Sequence, residues 1–322
     1  MTTSRHWRPA RPLDVAATWG RLRRGGGDPT WREPGDGRIW WGMRTPHGPA
    51  TLALAVDRGG GTVDARAWGE AAGWVLDRLP EMLGEGDDPG GFVPRHPLVA
   101  EAVRRFPGWR VPRTGMVMSA LVPTVVEQRV TGAEAFGAWR RLVRRFGTRA
   151  PGPTGELDLW VAPSAQEWAR VPSWEWRTVG VEGARSDTVV RACRYAGRLE
   201  QCAALTHEEA HRRLRGIPGV GVWTAAEVRQ RALGDPDAVS FGDYHVAKDV
   251  GWALVGHEVD DAGMAELLEP WAGHRYRVQR LLELVGAHRP RRGPRMALPT
   301  HLPVARPGGR ARPRAVARRL AG

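Results

Sequence analysis

The sequence contains little cysteine, which limits the chemistry the protein can carry. Only Cys193 and Cys202 occur among 322 residues, too few for a disulfide framework or a four-cysteine iron–sulfur cluster. There is no Gly-Lys-Ser/Thr phosphate loop, and His, Asp and Glu do not cluster at the spacing of metal ligands. The sequence therefore disfavours a phosphate-loop nucleotide-binding protein and a metal-dependent nuclease.

Long apolar runs are also missing. No stretch reaches the roughly eighteen apolar residues of a membrane span, and the amino terminus lacks the apolar centre of a signal peptide. We therefore expect a soluble cytoplasmic protein with no membrane partner.

The charge is concentrated at one end of the chain. The net charge is +13, but residues 289–322 contain ten arginines and no acidic residue, which leaves 38 basic and 35 acidic groups in the rest. Arg, Pro and Gly dominate this segment, so we expect a disordered basic tail over 289–322. Such a tail raises salt-dependent affinity for phosphate, although it could equally be only a solubilising extension.

The first 90 residues predict a mixed α+β domain. Three segments of strand length, near residues 38–43, 50–56 and 62–68, suggest a small antiparallel sheet. Apolar residues from Trp68 to Leu79 recur at helical spacing, and Pro80 predicts the end of a helix that covers the sheet. The loop at residues 84–91, rich in Gly, Asp and Pro, marks the expected boundary.

Residues 91–288 predict an all-α region. Capping boxes begin helices at Ser164 and Thr206, and Pro123 indicates a kink or a helix start within 114–128. Two helices joined by a hairpin are expected over 206–233. The fold class is therefore α+β, with a small sheet domain followed by helical domains.

The most specific string in the chain is Leu-Arg-Gly-Ile-Pro-Gly-Val-Gly-Val-Trp-Thr-Ala, beginning at Leu214. Gly219 and Gly221 permit a close backbone turn, while Ile217 and Val220 can point into the core. The turn and the next helix then present backbone amides to solvent, where the helix dipole favours a phosphate. Such a contact carries no base-sequence information.

This string resembles the hairpin of the helix-hairpin-helix DNA glycosylase superfamily, and within it the DNA-3-methyladenine glycosylase II branch. The resemblance runs from about residue 13 to 289. It implies an enzyme that flips a damaged nucleotide out of double-stranded DNA and cuts the bond between base and sugar in base excision repair. We expect a monomer with no obligate protein partner, associated with the nucleoid through DNA.

In that superfamily an essential aspartate follows the hairpin, and the resemblance assigns it to Asp243 in Ser-Phe-Gly-Asp-Tyr-His. A carboxylate beside the sugar stabilises the oxocarbenium-like transition state and can deprotonate water. Asp235 and Asp237 are rivals, but they lie in a turn where such residues commonly cap or solvate.

The resemblance also implies a base pocket and a mode of hydrolysis. Trp223 and Tyr244 match aromatic positions that would stack on an electron-poor alkylated purine, and His274 falls near a third; core packing is the alternative for the first two. Bifunctional relatives carry a lysine where this chain has Trp223, and the amine of that lysine forms a Schiff base with the sugar. The only lysine of this chain is Lys248. We therefore expect a monofunctional hydrolase.

The implied DNA contacts lie on the hairpin and on a probing loop, since residues 121–131 resemble the family's helix that leads into that loop. The hairpin contacts are Pro218, Gly219, Val220, Gly221 and Thr224, with His245 on a phosphate or simply exposed. In the probing loop Gln128 precedes Arg129, which would fill the vacated stack where the branch can use an apolar wedge. No cofactor is required, although the carbonyl groups of Arg215, Ile217 and Val220 match positions that hold a monovalent cation.

Two other functions remain open at this stage. The chain could be a DNA-binding or damage-sensing module without chemistry, or a glycosylase for oxidised or deaminated bases. A module without chemistry would release no base, which distinguishes it from an enzyme. The identity of the released base distinguishes a glycosylase for oxidised or deaminated bases from one for alkylated bases.

Overall fold

The computed structural model describes residues 2–57 and 61–290. Its five-stranded antiparallel sheet has the order β1-β5-β4-β3-β2, and most of the remaining described chain is helical. The α+β prediction is confirmed. The predicted basic tail covers residues 289–322, and from residue 291 onward it lies outside the described part of the chain.

The sheet contains the three predicted strands and two more. Its strands are β1 (Thr2–Trp7), β2 (Trp31–Arg32), β3 (Arg38–Thr45), β4 (Gly48–Asp57) and β5 (Thr62–Gly69). Helix α1 (Val15–Trp19) and helix α2 (Ala72–Met82) share an apolar core with this sheet. Alternate residues of β5 are buried, as expected of a strand covered on one face.

The predicted end of α2 at Pro80 is wrong, because the helix continues to Met82. Proline has no N–H and so leaves the carbonyl oxygen of residue 76 without its helical partner. That oxygen instead accepts a hydrogen bond from Nη1 of Arg5 on β1, at 2.8 Å. Trp68, which the helical spacing placed at the start of the helix, belongs to β5.

The rest of the described chain is built from short helices. They are α3 (Pro97–Arg105), α4 (Val117–Val126), α5 (Gly132–Phe146), α6 (Ala165–Arg170), α7 (Ser173–Thr178), α8 (Gly183–Arg194), α9 (Ala196–Glu200), α10 (His207–Arg215), α11 (Val222–Val228), α12 (Val246–Val255), α13 (Asp261–Leu268) and α14 (Arg275–Leu284). Strands β6 (Thr148–Arg149) and β7 (Trp160–Val161) form a separate ribbon. A π-helical segment, Arg229–Leu233, extends α11.

Both predicted capping boxes are present, at Ser164 and Thr206, and Thr131 forms a third. Pro123 lies inside α4 and does not begin it. Across residues 2–57 and 61–290, no helix combines the length and apolarity needed to cross a bilayer.

Two apolar clusters hold the helices together. One joins α4, α5, α8, α10 and α11, and the other joins α3, α12, α13 and α14. Ala17 of α1 packs into the second cluster, so the sheet layer and the helices share buried surface. The domain boundary near residue 90 stays a prediction.

Candidate active site

The turn between α10 and α11 is held by glycine geometry. Gly219 has φ +96°, and a Cβ atom there would lie 2.0 Å from Oγ1 of Thr188. Ile217 and Val220 are buried, as the sequence predicted. Gly221 precedes α11 without a side-chain cap, so no side chain of that residue competes for the first amides of the helix.

A second loop is fastened to this turn. Gln128, just after α4, donates from Nε2 to the carbonyl oxygen of Gly219 at 3.0 Å and to Oγ1 of Thr224 at 2.8 Å. Thr224 is buried, so its side chain supports the loop and is not presented to solvent. Arg129 is exposed with φ +55°, which places it in the left-handed region that few residues other than glycine adopt.

Asp243 lies at the start of α12, where three N–H groups orient its carboxylate. Oδ1 accepts hydrogen bonds from the amides of His245 at 2.8 Å and Val246 at 3.1 Å. Oδ2 accepts from Nε1 of Trp223 at 3.1 Å. The structure therefore brings together the predicted catalytic residue and one predicted pocket residue, both half-buried.

The two rival carboxylates have structural partners. Asp237 accepts hydrogen bonds from the main chain and guanidinium of Arg275, and these contacts outweigh burial and lower its pKa. Asp235 is buried and ion-paired with Arg229. Of the three aspartates, Asp243 is the one joined to a predicted pocket residue.

A cavity of about 250 Å³ is lined mostly by residues that follow Asp243 in the chain, but not by Asp243 or Trp223 themselves. Its wall includes His245 and Val246, whose amides bind the Asp243 carboxylate. The remaining lining comes from α12, α14, the segment after α14 and one residue after α1: Arg21, Asp249, Val250, Gln279, Leu282, Glu283, Ala287 and His288. Charged and amide groups therefore line a space next to the candidate catalytic residue.

Behind this cavity lies a buried ion network centred on Glu227, one helical turn after Trp223. Its side chain is 2% exposed and accepts hydrogen bonds from Nη2 of Arg21, from Nη1 of Arg231 and from Oγ of Ser240. Burial alone would raise the pKa of Glu227, but the guanidinium groups of Arg21 and Arg231 lower it to about 2. The carboxylate is therefore ionised at neutral pH.

The other predicted pocket residues lie differently. Tyr244 is 73% exposed, and Nζ of Lys248 stands 4.2 Å from the centre of its ring. His274 contacts the loop before α3, since Nε2 lies 3.2 Å from the carbonyl oxygen of Gly90 and its ring packs edge-on against Phe92. Neither side chain hydrogen-bonds to the carboxylate of Asp243, and the roles of both residues in the pocket stay predictions.

Sequence reasoning missed Arg21, Glu227, Gln279 and Glu283. The four-residue spacing between Trp223 and Glu227, and between Gln279 and Glu283, was a usable signal, because such pairs share a helix face. Arg21 gave no signal, since more than 200 residues separate it from its partner Glu227.

A larger cavity, of about 590 Å³, lies between β3, α4 and α6. None of the predicted site residues lines it, so its size does not make it the candidate site. Glu200 does line it and accepts hydrogen bonds from the amides of Val117 and Met118. Burial raises the pKa of Glu200 to about 7 despite these bonds.

Comparison with known proteins gives relatives in sequence and in fold. No protein-family model matches the chain. It is 31% identical over 172 residues to the "Probable bifunctional transcriptional activator/DNA repair enzyme AlkA" of Mycobacterium tuberculosis (strain CDC 1551 / Oshkosh), a match that covers 52% of this chain and 32% of that protein. The match thus spans about a third of that relative's length.

Two solved structures share the fold over most of the chain. A 3-methyladenine DNA-glycosylase from Archaeoglobus fulgidus has a TM-score of 0.70 and 18% identity, covering 87% of this chain and 97% of that one. The Clostridium acetobutylicum 8-oxoguanine glycosylase/lyase, in complex with double-stranded DNA, has a TM-score of 0.66 and 14% identity, covering 88% and 96%. These two structures share the α+β fold of this chain, and the sequence relative supports the predicted resemblance to the helix-hairpin-helix glycosylase superfamily.

Proposed function

We propose that this chain is a monofunctional DNA glycosylase that hydrolyses the N-glycosidic bond of alkylated purines in double-stranded DNA. The observation that carries the proposal is the hydrogen bond between Trp223 and Asp243, whose carboxylate also binds the amides of two residues that line a cavity of about 250 Å³. The sequence match to a protein named as a DNA repair enzyme supports the same class of activity.

The geometry supports a division of labour at the site. The hairpin amides and the loop carrying Arg129 bind the duplex, and the flipped base enters the cavity. Cleavage builds positive charge on the sugar, and the Asp243 carboxylate stabilises it and then accepts a proton from the attacking water. An alkylated purine already carries positive charge, so its departure needs little help from an acid.

Alkylated bases are favoured over neutral ones by the composition of the site. Asp249 and Glu283 place carboxylates in the cavity wall, where they favour a cationic base. The ring of Trp223 is half-buried and hydrogen-bonded to Asp243, and an electron-rich ring of this kind stacks well on a cationic base. Hydrolysis without lyase chemistry is favoured because Trp223, and not an amine, contacts the carboxylate. The chain's single lysine, Lys248, is engaged with the ring of Tyr244.

The test is release of base from methylated duplex DNA, with the product identified by mass. We expect the native chain to release a methylated purine, and Asp243→Asn to lower the rate by about 100-fold or more with duplex binding retained. Asp261→Asn is the matched control, because Asp261 accepts from the amide of Gly242 beside the site and asparagine keeps an acceptor. Full activity in Asp243→Asn, no release by the native chain, or an adduct trapped by borohydride would contradict the proposal.

The same proposal includes a monovalent cation at the hairpin, held by main-chain carbonyl groups of Arg215, Ile217 and Val220. The oxygen of Ile217 accepts the amide of Val220 at 2.9 Å and keeps a second lone pair for a cation. Such an ion would brace the turn and add positive charge beneath a phosphate. Duplex affinity that is the same in potassium and in tetramethylammonium salts of equal ionic strength would argue against it.

A further inference from the structure

The larger cavity contains a carboxylate that the proposed chemistry does not use. Its volume of about 590 Å³ lies within the range of roughly 300–1,000 Å³ that is typical of small-molecule sites. Pro46, Gln166 and Gly197 line the cavity and are exposed, so it opens to solvent. Glu200, the last residue of α9, lines it as well. The cavity therefore offers an acid to a molecule that enters from solvent.

Among the described residues, two carboxylates line this cavity, and they differ in how far their acceptor positions are filled. Four groups donate to Asp28: the amide and the hydroxyl of Thr30, Nε1 of Trp139 and the amide of Arg24. These bonds fill the roughly four lone-pair positions that an ionised carboxylate offers. Glu200 accepts two bonds, from the amides of Val117 and Met118, so about two of its positions remain open.

Neither of the two described arginines that line the cavity pairs with Glu200. Arg24 binds Glu127, and Nη2 of Arg44 lies 3.7 Å from a carboxylate oxygen of Glu167. Burial raises the pKa of Glu200 to about 7, against the two amide bonds, which lower it. A buried carboxylate without a cation is costly to ionise, so a cation brought by a ligand would be bound favourably at this position.

Much of the remaining wall is apolar. Six large side chains contribute to it: Trp41, Met43, Met116, Met118, Trp139 and Trp168. The ring centres of Trp139 and Trp168 lie 6.1 Å apart, with 31° between the ring planes. Tryptophan rings attract flat rings and cations, and methionine side chains adapt to irregular shapes. A ligand with a flat apolar body therefore suits this wall.

We propose that this cavity binds a small organic cation, whose N–H groups bond to the carboxylate of Glu200 while a flat apolar body packs against the tryptophan and methionine side chains. The carboxylate supplies a charge-assisted hydrogen bond and the apolar wall supplies buried area, so both parts of the ligand are needed. The site goes beyond the proposed glycosylase activity, because none of the residues proposed for duplex binding or hydrolysis lines it.

The test measures binding of 1-naphthylmethylammonium by isothermal titration calorimetry, with 1-naphthylmethanol as its neutral counterpart. We expect the native chain to bind the cation about 10-fold or more tightly than the alcohol, because only the cation gives Glu200 a charged donor. Glu200→Gln should reduce this ratio to about 2-fold or less, and an unchanged ratio would overturn the role of Glu200. Glu134→Gln is the matched control and should keep the native ratio, since Glu134 also accepts from an amide at the start of a helix but does not line the cavity.

A second comparison uses the native chain alone and applies even if Glu200→Gln does not fold. The cation should bind more tightly than methylammonium, which has the charge without the rings, and than 1-naphthoate, which has the rings with the opposite charge. Equal affinity for the cation and the alcohol, tighter binding of 1-naphthoate, or no measurable binding of the cation would overturn the inference. Base release from methylated DNA is measured separately, so a failure here leaves the glycosylase proposal intact.

Discussion

Replacing Glu227 with alanine should destabilise the protein more than any ordinary surface change. Glu227 is the shared acceptor of Arg21, Arg231 and Ser240, and its side chain is 2% exposed. The change removes one negative charge and leaves two guanidinium groups facing each other in a buried space. Arg21 keeps the carboxylate of Glu283, whereas among the described residues Arg231 keeps the carbonyl oxygens of Arg21 and Glu227 and no carboxylate.

The size of the effect follows from burial. Removing one partner of a buried ion pair costs about 3–5 kcal/mol, because the remaining charge loses its compensation. An exposed pair of the same spacing contributes at most about 1 kcal/mol. Glu208 and Arg212 form such a pair, with the same four-residue separation and 4.0 Å between charged atoms. Glu208→Ala is therefore the matched control.

The assay is urea unfolding followed by circular dichroism, with the free energy of unfolding compared among the native chain and both variants at neutral pH. We expect a loss of about 3–5 kcal/mol for Glu227→Ala and less than about 1 kcal/mol for Glu208→Ala. Equal small losses for both variants would refute the reasoning, since burial would then have no measurable effect on how much this network contributes to the free energy of unfolding.

The pH dependence of the free energy of unfolding tests the contribution of Glu227 independently. The pKa of Glu227 falls from 4.5 to about 2 on folding, so the folded state binds fewer protons than the unfolded state between these values. Its contribution to stability is then fully present above about pH 4.5 and is lost as the pH falls toward 2, by about 3 kcal/mol. Glu227→Ala should remove this part of the acid dependence.

Two further predictions concern the hairpin and the larger cavity. Gly219→Ala should lower the free energy of urea unfolding by about 2 kcal/mol or more, because φ of Gly219 is positive and Thr188 occupies the space of a Cβ atom. Gly221→Ala should lower it by at most about 1 kcal/mol, because nothing lies within 4 Å of the Cβ position there. Equal losses for the two variants would contradict the steric argument. For Glu200, whose pKa is raised on folding from 4.5 to about 7, the contribution of this one group to stability should be largest below pH 4.5 and should be lost between pH 4.5 and about 7, by about 3 kcal/mol. Glu200→Gln should flatten that slope, and an unchanged slope would assign it to other groups.

The sequence predicted those parts of the site that depend on local geometry. Gly219 predicted the turn, because few other residues permit its positive φ; Gly221 is extended, with φ −82°, and its backbone does not require glycine. The link between Trp223 and Asp243 could not be predicted, because it depends on how the loop after α11 returns to that helix. Arg21 was unpredictable for the same reason, since its role arises only when α1 packs against α14.

Pro80 shows the opposite failure, in which a sound local rule gave a wrong helix end. The rule assumes that an unpaired carbonyl group in the preceding turn ends the helix. Here Arg5, on a strand that the sequence did not predict, satisfies that carbonyl at 2.8 Å. A local cost was offset by a contact between residues more than 70 positions apart, which no local pattern could show.

Helix α11 contacts three parts of the proposed site: the carboxylate of Asp243, the loop after α4 and the wall of the small cavity. Trp223 binds Asp243, Thr224 binds Gln128 of the probing loop, and Glu227 binds Arg21. A helix of seven residues is unstable in isolation, so its position must come from these side chains and from the core. Because catalytic groups must be held to within about 0.5 Å, a shift of α11 would displace Gln128, Asp243 and Arg21 together. The buried charges around Glu227 therefore affect the site chiefly by fixing the position of α11.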